Sequence, residues 1–140
     1  MRKVARAWLI AISVLNGLAG LVCGVLLIAR PDGRLLAATA LLPVIGKLPL
    51  ASIFFRDMFW IGVAMILALG VPNVLAAVML IRRNARQYQV ALGAAVILMC
   101  WCAFELIYMF NGAAIGYFGV AIVSALCAVW LLRGPQAASA

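Results

Sequence analysis

The third of four long apolar segments, Met99-Cys-Trp-Cys-Ala-Phe-Glu-Leu-Ile-Tyr-Met-Phe110, carries Glu105, the one acidic or basic side chain well inside any of them. A carboxyl group in hydrocarbon must pair with a cation or be held neutral, and such residues mark substrate paths, proton relays and ligand counter-ions. On a helix Trp101, Cys102, Tyr108 and Gly112 share its face. This spacing lets Tyr108 donate to the carboxyl while Trp101 keeps water from it. A cation must come from outside the segment. Arg56, at the outer mouth of the second segment, is best placed, Arg34 and Lys47 are less constrained, and the neighbouring Asp57 can take one of those two. Two amides, Asn16 and Asn73, lie roughly 12–14 Å deep at similar heights, so they can bond to each other. Asn73 also follows Pro72, which frees a carbonyl one turn back. Satisfying that broken ladder is its simpler use, and lining a polar cavity is the alternative.

Other chemistries lack their parts. There is no histidine, which removes bis-His haem ligation, His-containing zinc sites and imidazole acid/base chemistry. No carboxylates are paired within the segments, and there is no glycine-rich phosphate loop. Cys23, Cys100, Cys102 and Cys127 fall inside apolar runs and act there as small apolar residues. Cys100 and Cys102 point about 200° apart on a helix, so they do not form a thiol pair. No cofactor or metal is expected.

The elements that hold these residues follow from composition. Hydrophobic residues are 69% of 140 and charged residues 10%, against about 25% charged in a soluble domain. A water-soluble fold is thereby excluded. Uninterrupted apolar runs predict four helices, at about Ala7 to Ala29, Met58 to Ile81, Tyr88 to Phe110 and Ala113 to Leu132, each covering roughly 30 Å and able to span a bilayer. The runs are solidly apolar rather than alternating, and four strands cannot close a barrel. The fold is therefore expected to be all-α, a four-helix transmembrane bundle forming a single domain over 1–140. The first apolar run, at about 23 residues, is too long for a signal-peptide core, so it is read as a retained helix.

Arg2, Lys3, Arg6, Arg82, Arg83, Arg86 and Arg133 share one side of a four-span topology, and Arg30, Arg34, Lys47 and Arg56 lie on the other, partly offset by Asp32 and Asp57. Basic residues are retained on the cytoplasmic side. Both termini are thus expected in the cytoplasm of a bacterial inner membrane. Trp8, Tyr88 and Trp130 mark that boundary, and Trp60, Tyr108 and Tyr117 the outer one. The +8 net charge is mostly topology, with attraction to anionic lipid as a further consequence. No nucleic-acid surface is expected, because the connection from Arg82 to Gln87 is too short. The lipid bilayer is the expected partner.

Ser13, Gly17, Gly20 and Gly24 form one small-residue stripe, and Gly112, Gly116 and Gly119 another that closes at Val123. Each stripe serves either packing inside the bundle or contact with a second copy or partner helix. Between the first two spans, Pro31-Asp32-Gly33 is a turn signal. The apolar run that follows is broken by Pro43, Gly46, Lys47 and Pro49. It is read as a short interfacial helix and a loop folded over the outer ends of the bundle, placed to act as a lid.

The Pro31-Asp32-Gly33 turn with Leu35 and Leu36, then Phe55-Arg56-Asp57 leading into Trp60-Ile61-Gly62, resembles a group of small uncharacterised bacterial four-span membrane proteins. This chain has Trp60 and Ile61 where the group's motif runs Ile-Pro, so the proline is missing. The resemblance implies four spans and an ordered outer loop, and no activity. A more distant likeness to DoxX-like proteins rests on size and span count. Three functional readings remain. The leading one is a structural or accessory membrane component in which Glu105 and Arg56 tie the loop to the bundle. The second is a small proton-linked transporter or hydrophobic-ligand-binding protein using Glu105. The third is a lipid or quinone enzyme with Glu105 and Tyr108 as acid/base groups.

Overall fold

The computed structural model describes residues 1–47, 56–108 and 112–134, with Ala40 as backbone alone. Its helices are α1 (Arg2–Ala29), the single turn α2 (Leu42–Ile45), α3 (Phe59–Ile81), α4 (Gln87–Tyr108) and α5 (Gly112–Arg133). No strand occurs among the described residues. α1, α3, α4 and α5 are 22 to 28 residues long, and each contains an 18-residue stretch with a mean hydropathy of 2.2 to 2.3. They are long and apolar enough to cross a membrane, and they support a multi-pass membrane protein. Their outward faces agree. Leu15, Leu67, Ile107 and Leu126 are each more than 60% exposed, an arrangement a bundle in water would reverse.

The helix bounds match the sequence expectation closely, except that α1 begins at Arg2 rather than Ala7. The basic turn continues the helix because its side chains find partners at the ends of other helices. Arg2 donates to the Leu131 carbonyl at 3.2 Å and Arg6 to that of Leu80, in the last turns of α5 and α3, where carbonyls lack intrahelical donors. Expectations for Pro49, Phe55 and Phe110 lie outside the described residues.

At the end where α1 begins and α5 ends, the core is made of Ala5, Leu9, Ala76, Leu80, Ala91, Ala94, Ala128 and Leu131. Alanine at most of these positions brings the helix backbones close, which is how helices associate where burial in lipid supplies no hydrophobic drive. Beside this layer Trp8 Nε1 donates to Ser124 Oγ at 3.2 Å, joining α1 to α5. Trp8→Phe keeps the ring and removes the donor, and is expected to cost about 1 kcal/mol, read as a lower midpoint in detergent-driven unfolding.

Gly17, Gly20 and Gly24 all face α3. A Cβ on Gly20 would lie 2.5 Å from the Gly70 nitrogen, and one on Gly24 would lie 2.7 Å from the Gly62 carbonyl oxygen. This stripe is used inside the bundle. Gly112, Gly116 and Gly119 have nothing within 4 Å of an added Cβ, so the α5 stripe lies on an open face.

α3 is regular except for a π-helical turn over Ile66–Gly70, in which the Val71 N–H bonds five residues back to the Ile66 carbonyl. The turn sits just ahead of Pro72, whose missing N–H disturbs the ladder there. Asn73 Nδ2 donates to the Leu69 carbonyl at 2.9 Å, so the Asn73 amide does satisfy a ladder carbonyl.

The connection between α1 and α3, termed outer because basic residues predominate at the other end of the bundle, packs onto the bundle. Gly33 has φ +73° and the Arg34 N–H bonds to Asp32 Oδ1 at 3.1 Å, with Arg34 Nε 3.4 Å from Asp32 Oδ2. In the described part of this connection the backbone forms 3₁₀ turns at Arg34–Leu36 and Thr39–Leu41 followed by α2, and Ala37, with a left-handed φ of 52°, ends the first of these turns. Ile45 and Met58, each 1% exposed, close over Leu27, with Met65 and Phe104 packed against them.

Candidate functional site

All four spanning helices contribute to a cavity of about 250 Å³ in the outer half of the bundle. α1 presents Asn16, Gly20 and Cys23, at positions i, i+4 and i+7. α4 presents Leu98, Trp101, Cys102 and Glu105 with the same period. Met65 and Leu69 of α3 and Ala113, Ala114 and Tyr117 of α5 complete the wall. Seven residues of helix rise about 10 Å, which sets the cavity's length. α1 and α4 run in the same direction, so Asn16 and Leu98 lie at the deep end and Cys23 and Glu105 at the outer end.

The Glu105 carboxylate is held by its own helix. Trp101 Nε1 donates to Glu105 Oε1 at 2.7 Å. Tyr108, the expected donor, is 42% exposed and packs its ring 4.9 Å from that of Phe104. Tyr108 leans back onto Phe104, its neighbour four residues earlier, while Trp101, four residues before Glu105, meets the carboxyl. Trp101 therefore acts as donor as well as shield.

Asn16 is 7% exposed, and its Nδ2 has no hydrogen-bond partner. An amide donor left unpaired in a buried place costs about 1–3 kcal/mol, and Asn16 is one of the residues that line the cavity. Asn16 and Asn73 open onto different spaces. Asn73 borders a second void of about 10 Å³ with Ser13, Ser124 and Leu98, room for about one water. Leu98 separates the two.

Arg56 and Asp57 lie at the outer start of α3, where Asp57 Oδ1 accepts the Phe59 N–H at 2.9 Å and organises the first turn. Cys23 and Cys102 line the cavity, whereas Cys100 is exposed. Among the described residues no cluster of three or more metal-capable side chains forms. Sequence reasoning did not pick out Cys23 or Tyr117 as cavity residues. The sequence places Gly20 in a stripe for packing or a partner helix, and Asn16 in a candidate polar lining, but nothing in it joins Cys23 to them. Tyr117 was read only as a boundary aromatic.

Fold and site define a class: a four-helix bundle fit to cross a membrane, with a cavity between its helices that carries one carboxyl group and one unpaired amide and is partly open beside Ala113 and Tyr117. No family model, curated protein or solved structure matches the chain.

Proposed function

We propose that this protein binds a small, elongated, mostly apolar amine in the outer half of the membrane, with Glu105 as its counter-ion. The observation that carries this reading is the pairing, on one cavity, of the Glu105 carboxylate with an unpartnered Asn16 amide about nine-tenths buried. An ionised carboxylate accepts about four hydrogen bonds, and Trp101 supplies one donor. An ammonium group fits the remainder, assisted by the faces of Trp101 and Tyr117. At the deep end Asn16 Nδ2 calls for an acceptor such as an ether or carbonyl oxygen. The cavity volume lies slightly under the roughly 300–1,000 Å³ of drug-sized sites, so the ligand is small.

Entry from the lipid suits such a molecule. Trp101 and Met65's neighbours on α3 separate the cavity from an outward groove lined by Ile61, Ala64, Ala68, Ile97, Cys100 and Phe104, with Trp101 lining both spaces. Movement of that one indole would join them. The outer loop is attached by Leu27, Ile45 and Met58, a task for which Glu105 is not required. This weighs against the structural tie as the main role of the carboxyl. The seven basic residues at the end where α1 begins support a topology with both termini in the cytoplasm, in keeping with a bacterial inner membrane.

The test is a thermal-shift titration of purified protein with apolar primary amines and with alcohols of the same shape. Wild type should be stabilised by the amines and not by the alcohols, with release of a proton if the carboxyl is neutral beforehand. Glu105→Gln should keep its fold and weaken amine binding by about 10- to 100-fold, the loss of a charge-assisted contact of about 1.5–3 kcal/mol. A variant that loses several degrees of stability while binding amines normally would return Glu105 to the structural role.

A further inference from the structure

A second groove, of about 840 Å³, opens at the end of the bundle where α1 begins. It is lined by Arg2, Lys3, Arg6, Arg83, Gln87 and Tyr88, with Ala7 and Ile10 along its apolar side. It is separate from the Glu105 cavity and shares no residue with it. We propose that this groove is a binding site for the phosphodiester headgroup of an anionic glycerophospholipid.

Charge is the first reason. The chain has three acidic side chains, Asp32, Asp57 and Glu105, and all belong to the opposite half of the bundle. Lys3, Arg6 and Arg83 therefore converge on the groove with none of these acidic side chains beside them, and an anion from outside can supply their counter-charge. Unmet hydrogen bonding is the second. Arg6 Nε and Gln87 Oε1 are both shielded from solvent and without a hydrogen-bond partner. One arm of the Arg6 guanidinium is fixed on the Leu80 carbonyl, which leaves Nε as a donor for a phosphate oxygen. Gln87 Oε1 is an acceptor, and a headgroup hydroxyl can satisfy it. Shape is the third reason. Ala7, Ile10 and the Tyr88 ring give an acyl chain an apolar path from the basic rim toward the bilayer interior, with tyrosine at the headgroup level where it is favoured.

Each basic residue near an anionic surface contributes an attraction equivalent to roughly fivefold in affinity, so removing two should weaken binding by roughly 25-fold. The experiment is a thermal-shift titration of the detergent-purified full chain with phosphatidylglycerol, phosphatidylcholine and inorganic phosphate. Phosphatidylglycerol should raise the unfolding temperature, and the other two should not. Lys3→Gln combined with Arg83→Gln, both exposed at the rim, should shift the titration by that factor. Arg82→Gln with Arg86→Gln removes two cations outside the groove and should leave it within about threefold. Mass spectrometry of the wild type should retain phosphatidylglycerol in preference to phosphatidylcholine, which keeps the proposal testable if the rim variant folds poorly. Equal effects of the two lipids, an equal effect of free phosphate, or equal losses in the two variant pairs would each overturn it.

Discussion

Gly20→Val is expected to destabilise the bundle by about 3 kcal/mol, the upper part of the range for overpacking, while Gly116→Val should change stability by no more than about 0.5 kcal/mol. The first Cβ would meet the Gly70 nitrogen at 2.5 Å and the Leu69 carbonyl carbon at 2.8 Å. Those are backbone atoms, which cannot rotate away, so α1 and α3 must separate. Lipid tails are as apolar as the helix surfaces, so the separated helices regain little by burying themselves elsewhere, and close packing is what held them. The second Cβ would have nothing within 4 Å. Unfolding both variants in a detergent titration gives the comparison directly, and equal midpoints would mean that α1 and α3 do not meet at Gly20. A shift of α1 would also move Asn16 and Cys23, so the first variant should lose amine binding with its stability.

Asn16→Leu is expected to act in opposite directions on stability and function. The side chains are similar in size, and the change removes a buried donor without a partner. The empty protein should therefore gain about 1–2 kcal/mol. The same change removes the deep hydrogen bond to the ligand, so stabilisation by an amine carrying a distant ether or carbonyl oxygen should fall to that given by the plain alkylamine. A residue kept only for packing would not behave this way. Paired melting curves with and without the two amines make the check, and a loss of stability in the ligand-free variant would show that the Asn16 amide is satisfied within the protein. Such a trade between stability and function is common at binding sites.

Much of the architecture was legible before any coordinates. The span bounds were close because backbone in hydrocarbon must satisfy its own hydrogen bonds, so an apolar run of sufficient length has one outcome. The turn at Pro31-Asp32-Gly33 was legible because glycine accepts the positive φ that the structure shows at Gly33. The break at Ala37 was not, since a left-handed alanine carries no signal in residue type and is held there by the packing around it. The Glu105 site was half legible. An isolated carboxyl in an apolar helix stands out by itself, and Trp101 was visible as its neighbour on the same face. Which neighbour donates depends on the tilt of side chains along the helix, and spacing alone treats one turn up and one turn down alike.

By itself the sequence determined that four helices form, where each begins and ends to within a few residues, and how the charges divide between the two ends. These depend on local hydropathy and on hydrogen bonds within each helix. Only the tertiary structure decided that the α1 glycines meet α3 while those of α5 face outward, that Asn16 joins the Glu105 cavity while Asn73 does not, and that Arg6 and Gln87 share a groove. Helical period says which residues lie on one face, but the rotation of each helix about its axis, set by contacts among all four, says what that face meets.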